Sequence, residues 1–429
     1  MSSSIQTQRI RLNPALGTLA LLLALNLLNY IDRYILFGTQ PLIQREFHAS
    51  DQQMGAFTTA FFVTYMIVAP LSGWLGDWFR RKPLIIIGAT IWSLATLAAA
   101  FAHSYESLLI RRAMVGVGEA TFGIFAPAVL ADFYPDRERN RILSIFYLAI
   151  PLGAALGYLA GGEMGSLWGW RTPFLVCAIP GLAVAALYIP FGREPQRGAF
   201  DRRDAGAKPA AAQDPLRDFF RRFTQLLVNP AFLTATFGLA MITFALGGIS
   251  AWVPTFLHRV NGLSVANASL VVSAITAVDG IAGTVVGGWI AQRWQRTDRR
   301  ALYFVSFWSA ALALPFGALV FFGPRATTIP ALVAAEFFIF LNTGPLNAAI
   351  VNSVNGAIRA TAISVNLFCI HFFGDTFSPQ IIGAVSDRTK SLSIGLGATL
   401  VSLIAASGIL WYGARFAPAL EGEGGEPAS

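Results

Sequence analysis

Asp32 and Arg33 stand side by side inside one apolar run, and Arg111, Arg112 and Glu119 stand inside another. Asp279, Glu336, His371 and Asp375 interrupt apolar runs further along. An ionised group at the centre of a membrane helix costs about 2.5–3.5 kcal/mol on insertion scales, so such groups are partnered or face water. Acids and arginines placed this way can hold an anion and carry a proton. Asp32 and Arg33 diverge by about 100° on a helix, so each must find its partner elsewhere. Asn26 lies seven residues before Arg33, on the same face two turns away. Arg112 and Glu119 share a face about 10.5 Å apart along the axis, which presents a cation and an acid at two depths. The expectation is a cluster in which Arg33 and Arg112 take an anionic headgroup, with Asn26 on the same side. Asp32 or Glu119 would carry the coupling proton, because burial raises a carboxyl pKa and a neighbouring arginine lowers it. A static ion pair joining the first and fourth helices is the competing reading. Arg111 is expected to snorkel to the headgroups.

His371 and Asp375 are four residues apart and therefore on one helix face. An imidazole beside a carboxylate titrates near neutral pH, so the pair reads either as a proton relay or as a structural hydrogen bond. Glu336 precedes Asn342, Asn347, Asn352 and Asn355. Glu336 and Asn342 are expected to line a cavity and bind substrate, Asn352 and Asn355 to pack between helices. Asp279 reads equally as a proton site or as a group at a hydrated entrance. The histidines at 48, 103, 258 and 371 are scattered, so no metal site or cofactor is expected. Nor does any nucleophile–base constellation argue for an intramembrane enzyme, or any separate ligand domain for a receptor.

The elements that position these groups follow from composition. Of 429 residues, 55% are hydrophobic and 13% charged, about half the charge of a soluble protein. With a mean hydropathy of +0.57, this excludes a soluble enzyme, a disordered chain and a nucleic-acid binder. Apolar runs fall at 15–40, 52–75, 83–102, 107–133, 142–163, 171–191, 231–257, 264–291, 301–323, 328–354, 360–385 and 393–416. Each is long enough to cross a bilayer as a helix. The net charge of +8 is concentrated in alternate connections, such as Arg80, Arg81 and Lys82, Arg137 to Arg141, and Arg293 to Arg300. The positive-inside rule then puts both termini in the cytoplasm. Basic residues on the other side are few: Arg45, Arg171, Arg259, Arg325, Arg388 and Lys390. Residues 1–13 lack a small-residue cleavage site, so the first span is expected to be retained. Cys177 and Cys369 lie in apolar runs and are expected to be free.

The connection at 192–230 divides the spans six and six, as two pseudo-equivalent bundles require. Its first half is rich in Gly, Ala, Pro and charge and reads as a flexible linker. Asp214 and Pro215 then start a helix with Leu216, Phe219, Phe220, Phe223, Leu226 and Leu227 on one face, an amphipathic segment for the inner membrane surface. Residues 1–191 thus form one bundle and 231–416 the other, with 417–429 a disordered cytoplasmic tail.

Gly73-Trp74-Leu75-Gly76-Asp77-Trp78-Phe79-Arg80-Arg81-Lys82 resembles the loop motif of the major facilitator transporters, departing from it at Arg80. Gly73 permits close approach to a facing helix, while Asp77 and Arg81 supply opposite charges for a breakable latch. The counterpart after the eighth span, Gly288 to Gln292, lacks the acid. Arg112, Gly116 and Gly118 match the family's fourth-span motif, and Pro151, Gly153, Gly157, Gly161 and Gly162 approximate its bendable fifth span. Asn29 to Tyr34, Gly116 to Ala120, Ala126-Pro127 with Ala131-Asp132, Ala149 to Gly153, and His371 to Asp375 with Ser378-Pro379 are together similar to the spinster branch. The resemblance implies the all-α major facilitator fold, twelve transmembrane helices in two pseudo-symmetric six-helix bundles. It implies alternating-access, proton-linked movement of a lysolipid or sphingosine phosphate-like anionic amphiphile through a monomer in the bilayer, expected in a bacterial inner membrane. Asp32, Arg33, Arg112 and Glu119 match the branch's polar core; Asp279 is not part of the pattern. Small organic anions such as sugar acids, or drugs exchanged for protons, are the alternative cargo.

Overall fold

The computed structural model describes residues 14–134, 136–196, 215–354 and 358–418. The amino-terminal segment with Arg9 and Arg11, most of the linker including Asp214, Asn355 and most of the carboxy-terminal tail lie outside them, as do the side chains of Leu216, Phe219 and Phe220. The first half contains α1 (Pro14–Phe47), α2 (Asp51–Trp78), α3 (Arg81–Ala99), α4 (Tyr105–Phe133), α5 (Asp136–Tyr147), α6 (Ala149–Trp168) and α7 (Arg171–Phe191). The linker contributes α8 (Pro215–Leu227). The second half contains α9 (Pro230–Arg259), α10 (Val265–Gln295), α11 (Ala301–Phe322), α12 (Thr328–Phe340), α13 (Thr343–Asn352), α14 (Arg359–Ile370), α15 (Ser378–Thr389) and α16 (Leu392–Gly413). Among the described residues eleven of the resulting spans are long and apolar enough to cross a membrane. The twelfth is α14 with α15, two short helices end to end across a break, which gives six spans on each side of the linker.

Capping explains several boundaries. Ser50 and Gln53 form a reciprocal capping box at α2. Ser104, Asn229, Ser264 and Ser391 each accept a backbone N–H at the start of α4, α9, α10 and α16. Glu194, just past α7, accepts the Arg81 N–H at 2.7 Å and so caps α3. Three apolar runs expected as single helices are divided, the fifth at Leu148 between α5 and α6. The tenth span parts at Leu341 and Asn342, between α12 and α13. The eleventh passes through a π-turn over His371–Asp375, where Gly374 is non-helical at φ −99°, ψ −105°. Gly374 packs so closely on α9 that an added Cβ would meet the Thr243 side chain at 2.9 Å. Ser378-Pro379 then restarts the helix, with proline where its missing N–H has no consequence.

Within the first bundle, α6 lies against α1 along Gly153, Gly157 and Gly161, where added Cβ atoms would meet Tyr30, Tyr34 and the Gly38 backbone. Small residues allow this approach, which dispersion rather than the hydrophobic effect must stabilise in lipid. The bundles touch along the half of the molecule remote from the linker, called here the distal half. Thr59 donates to the Thr376 carbonyl at 2.8 Å and Tyr158 to the Ser250 carbonyl at 2.7 Å. Gly162 meets Ser269, and Gly55 meets the Pro379–Gln380 backbone.

At the distal surface Asp51 is the hub. It accepts from Arg259 at 2.8 and 3.0 Å and from Ser386 at 2.6 Å. Asp387 in turn accepts the Asp51 and Gln52 N–H groups at 3.0 and 2.9 Å, so a side chain of one bundle caps a helix of the other. Toward the linker end the halves diverge: Gly73 and Gly288 have no facing atom within 4 Å, and Trp74 and Trp289 are exposed. The molecule is therefore closed distally and open at the linker end. Replacing Gly55 by Val should pry α2 from α15 and shift the population toward the distally open state. Cysteine labelling at position 250 would report this as faster modification; an unchanged rate would contradict the packing argument.

Candidate functional site

The polar cluster of the first bundle sits where α1, α3 and α4 meet. The divergence of neighbours on α1 sends Asp32 and Arg33 to different partners. Arg33 donates to Glu119 Oε2 through Nη2 at 2.7 Å and Nε at 3.2 Å. Asp32, 1% exposed, accepts from Thr96 at 3.2 Å. Arg112 is also buried, and its Nη1 donates to the Asp32 backbone carbonyl at 3.4 Å. The arrangement leaves Asp32 Oδ1 and Arg112 Nε buried without a hydrogen-bond partner, a costly state in a dry interior. Four charges, two of each sign, thus share one neutral cluster with unused bonding capacity.

Arg33 is the member that reaches out: its side chain is 17% exposed while that of Glu119 is fully buried. Its guanidinium lies 4.9, 4.8 and 5.6 Å from the ring centres of Tyr30, Phe61 and Phe62, an aromatic box. Phe62 in turn stacks on His371 at 4.9 Å, and His371 Nδ1 lies 2.9 Å from Asp375 Oδ1. One aromatic ring therefore separates the Arg33–Glu119 pair from the His–Asp pair of the other bundle, beside the break in the eleventh span.

Other candidates fall elsewhere. Asn26 donates to the Phe146 carbonyl at 2.8 Å and so ties α1 to α5. Asn342 bonds the Ile339 carbonyl and Ser309 at the break in the tenth span, a packing role within the second bundle. Glu336 is 3% exposed and accepts from Thr276 at 3.3 Å. Arg81 pairs with Asp132 inside the first bundle, and Gly73 faces open space; the Asp77 side chain lies outside the described residues. Arg111 bonds Ser107 at the distal end of α4.

Two features escaped the sequence reading. The aromatic box comes from residues whose types also suit packing, so nothing in Phe61 or Phe62 marks them. The distal hub did leave a signal, for two exceptions to the charge bias, Arg171 and Arg259, pair with Glu46 and Asp51.

The Major Facilitator Superfamily model matches residues 22–379. The chain is 34% identical over 391 residues to Protein spinster homolog 1 of Xenopus laevis, covering 86% of this chain and 72% of the relative. This is a spinster-family member of the Major Facilitator Superfamily. The spinster chain is also 30% identical over 384 residues to the Sphingosine-1-phosphate transporter SPNS2 of Danio rerio, covering 85% and 75% of the two chains. Its fold is similar to a bacterial homologue of the human lysosomal transporter spinster in an inward-facing, unoccupied conformation. There the TM-score is 0.82 at 23% identity, covering 94% of the spinster chain and 98% of the other. A D-xylose-proton symporter shares the architecture at TM-score 0.76 and 16% identity, covering 95% and 98%. The spinster chain is thus an integral membrane transporter with twelve membrane spans, and not an enzyme.

Proposed function

We propose that the protein is a proton-coupled secondary transporter of a lysolipid or sphingosine phosphate-like amphiphile. The reading rests on Arg33, a partly exposed cation in an aromatic box whose partner is a fully buried carboxylate. An anionic headgroup entering from the open end competes with Glu119 for the guanidinium. The displaced carboxylate, left in a dry site, then takes a proton rather than remain charged and alone. Asp32 is the second acceptor, with an unused oxygen. His371 and Asp375, one ring away, offer a relay toward the second bundle. Cargo and proton bring opposite charges, so the cluster stays balanced while the bundles rock about a fixed site.

An acyl tail has a path beside the box. Phe368 and Phe372 stack at 5.5 Å and are 51% and 39% exposed, on the part of the eleventh span that has diverged from α2. The relative named as a sphingosine-1-phosphate transporter supports the same cargo class. In this reading the protein works as a monomer in a bacterial inner membrane, with the linker end and both termini facing the cytoplasm, which the basic connections support. Gly73, Asp77 and Arg81 would re-form a latch when the linker end closes.

The direct test is uptake into proteoliposomes under a pH gradient, comparing a labelled lysophospholipid with a sugar acid. Accumulation of the lysolipid, abolished by a protonophore, is expected; accumulation of the sugar acid alone would overturn the reading. Asp32→Asn and Glu119→Gln should each lose gradient-driven uptake while still unfolding in one cooperative thermal transition, at a lower Tm in Glu119→Gln because Arg33 loses its partner. Unimpaired uptake by both variants would remove these carboxyls from the mechanism.

A further inference from the structure

Two buried acids of the second bundle take no part in that cycle. Glu336 on α12 and Asp279 on α10 are 3% and 4% exposed. Thr276 donates to Glu336 at 3.3 Å, and Asp279 follows Thr276 by three residues, on the same face of α10. Gly283, one turn beyond Asp279, meets the carbonyl of Phe337, the residue after Glu336, so the two acids sit at one crossing of α10 and α12. Asp279 Oδ2 is buried with no hydrogen-bond partner.

Among the described residues no positive group is placed to answer them. Each Arg and Lys between residues 230 and 418 stands near a helix end or in a connection, as Arg259, Arg293 and Arg359 do. His258 bonds the Leu263 carbonyl and His371 bonds Asp375. From α6, Tyr158 faces the site with its hydroxyl committed to Ser250. Glu163 of α6 follows Gly162, which meets Ser269, ten residues before Asp279. The middles of α9, α11 and α13 contain no charged residue. The contrast with the first bundle is plain: there Arg33 and Arg112 balance Asp32 and Glu119. Two carboxylates sharing one desolvated site cannot both stay ionised without a counter-charge.

We propose that Asp279 and Glu336 form a second cation site, in the second bundle, which takes up one monovalent cation, a proton or an alkali ion, with Thr276 holding Glu336 in place. The site stands independently of the cargo assigned above, since no substrate enters its test. The test uses the purified full chain in detergent without lipid cargo. Thermal unfolding is followed in sodium, lithium or choline chloride above neutral pH. Carboxyl protonation is followed by infrared difference spectra between about pH 5 and about pH 9, which brackets a shared proton on a buried carboxyl pair.

An alkali site predicts a rise in Tm with sodium or lithium but not choline. A proton site predicts a titrating carboxyl band that belongs to Asp279 and Glu336, and no alkali response. Either signal must vanish in both Asp279→Asn and Glu336→Gln and persist in Asp32→Asn. Should a neutralised variant fail to fold, Thr276→Val keeps both acids and should shift the same signal. Absence of both signals from the wild-type protein, or their survival in the Asp279 and Glu336 variants, overturns the proposal.

Discussion

Arg33→Ala should lower lysolipid uptake in proteoliposomes by at least about 100-fold, since two charge-assisted hydrogen bonds to a headgroup are worth roughly 1.5–3 kcal/mol each. It should also destabilise the protein, because Glu119 is fully buried and Arg33 is its ion-pair partner. Removing one member of a buried pair costs about 3–5 kcal/mol, mostly for the charge left behind. The two losses can be separated. The double variant Arg33→Ala with Glu119→Gln removes the stranded charge and should recover most of the lost Tm, yet remain inactive. Recovery of stability together with uptake would show that the pair is only a brace between α1 and α4. Arg33→Lys adds a finer reading. It keeps a charge but loses the planar fork that serves Glu119 through both Nε and Nη2. Intermediate uptake with a raised KM is expected.

Arg259→Ala should shift the conformational balance by about two decades toward the distally open state. Asp51 is 6% exposed and joins Arg259 to Ser386 at the closed surface. Breaking a largely desolvated ion pair on one side of an equilibrium biases it by about 3 kcal/mol when the other state does not need the pair. Asp51→Asn keeps the helix position and the Asp387 cap on the backbone N–H groups, so it should act in the same direction but less. Labelling of single cysteines at positions 158 and 250 from the distal side is expected to accelerate in the order wild type, Asp51→Asn, Arg259→Ala. Equal rates in all three would mean that the distal closure rests on the glycine contacts of α2 and α15 instead. High salt should narrow the differences, since Arg259 is one-third exposed and partly screened.

Closure and cargo site are linked through α2. It carries Asp51 at its distal end, then Thr59 against the π-turn, then Phe61 and Phe62 around Arg33. A headgroup that moves Arg33 therefore presses on the same helix that the distal hub holds. The break at Gly374 gives the opposite wall a joint at the same depth, where α14 can move relative to α15.

What the sequence by itself determined was the number of spans, most of their limits to within a few residues (the first runs on to Phe47 rather than residue 40), and the identity of the groups carrying charge inside them. Those are local properties: a run of apolar residues either crosses hydrocarbon or does not, and an ionised side chain within it stands out by its cost. The four-residue spacing of His371 and Asp375 predicted their contact for the same reason, since one turn of helix sets it even through the π-turn. Partnership between helices was decided only in three dimensions. Asp32 and Arg33 are neighbours in the chain, yet Arg33 meets Glu119 and Asp32 meets Thr96, because the rotation of α1 against α3 and α4 fixes which side chain faces which. Tertiary structure likewise drew Asn26 and Asn342 into helix packing, assembled the aromatic box, broke the eleventh span where Gly374 meets α9, and closed the distal end through Asp51. Each depends on the distance and rotation between packed helices, which no spacing along one helix records.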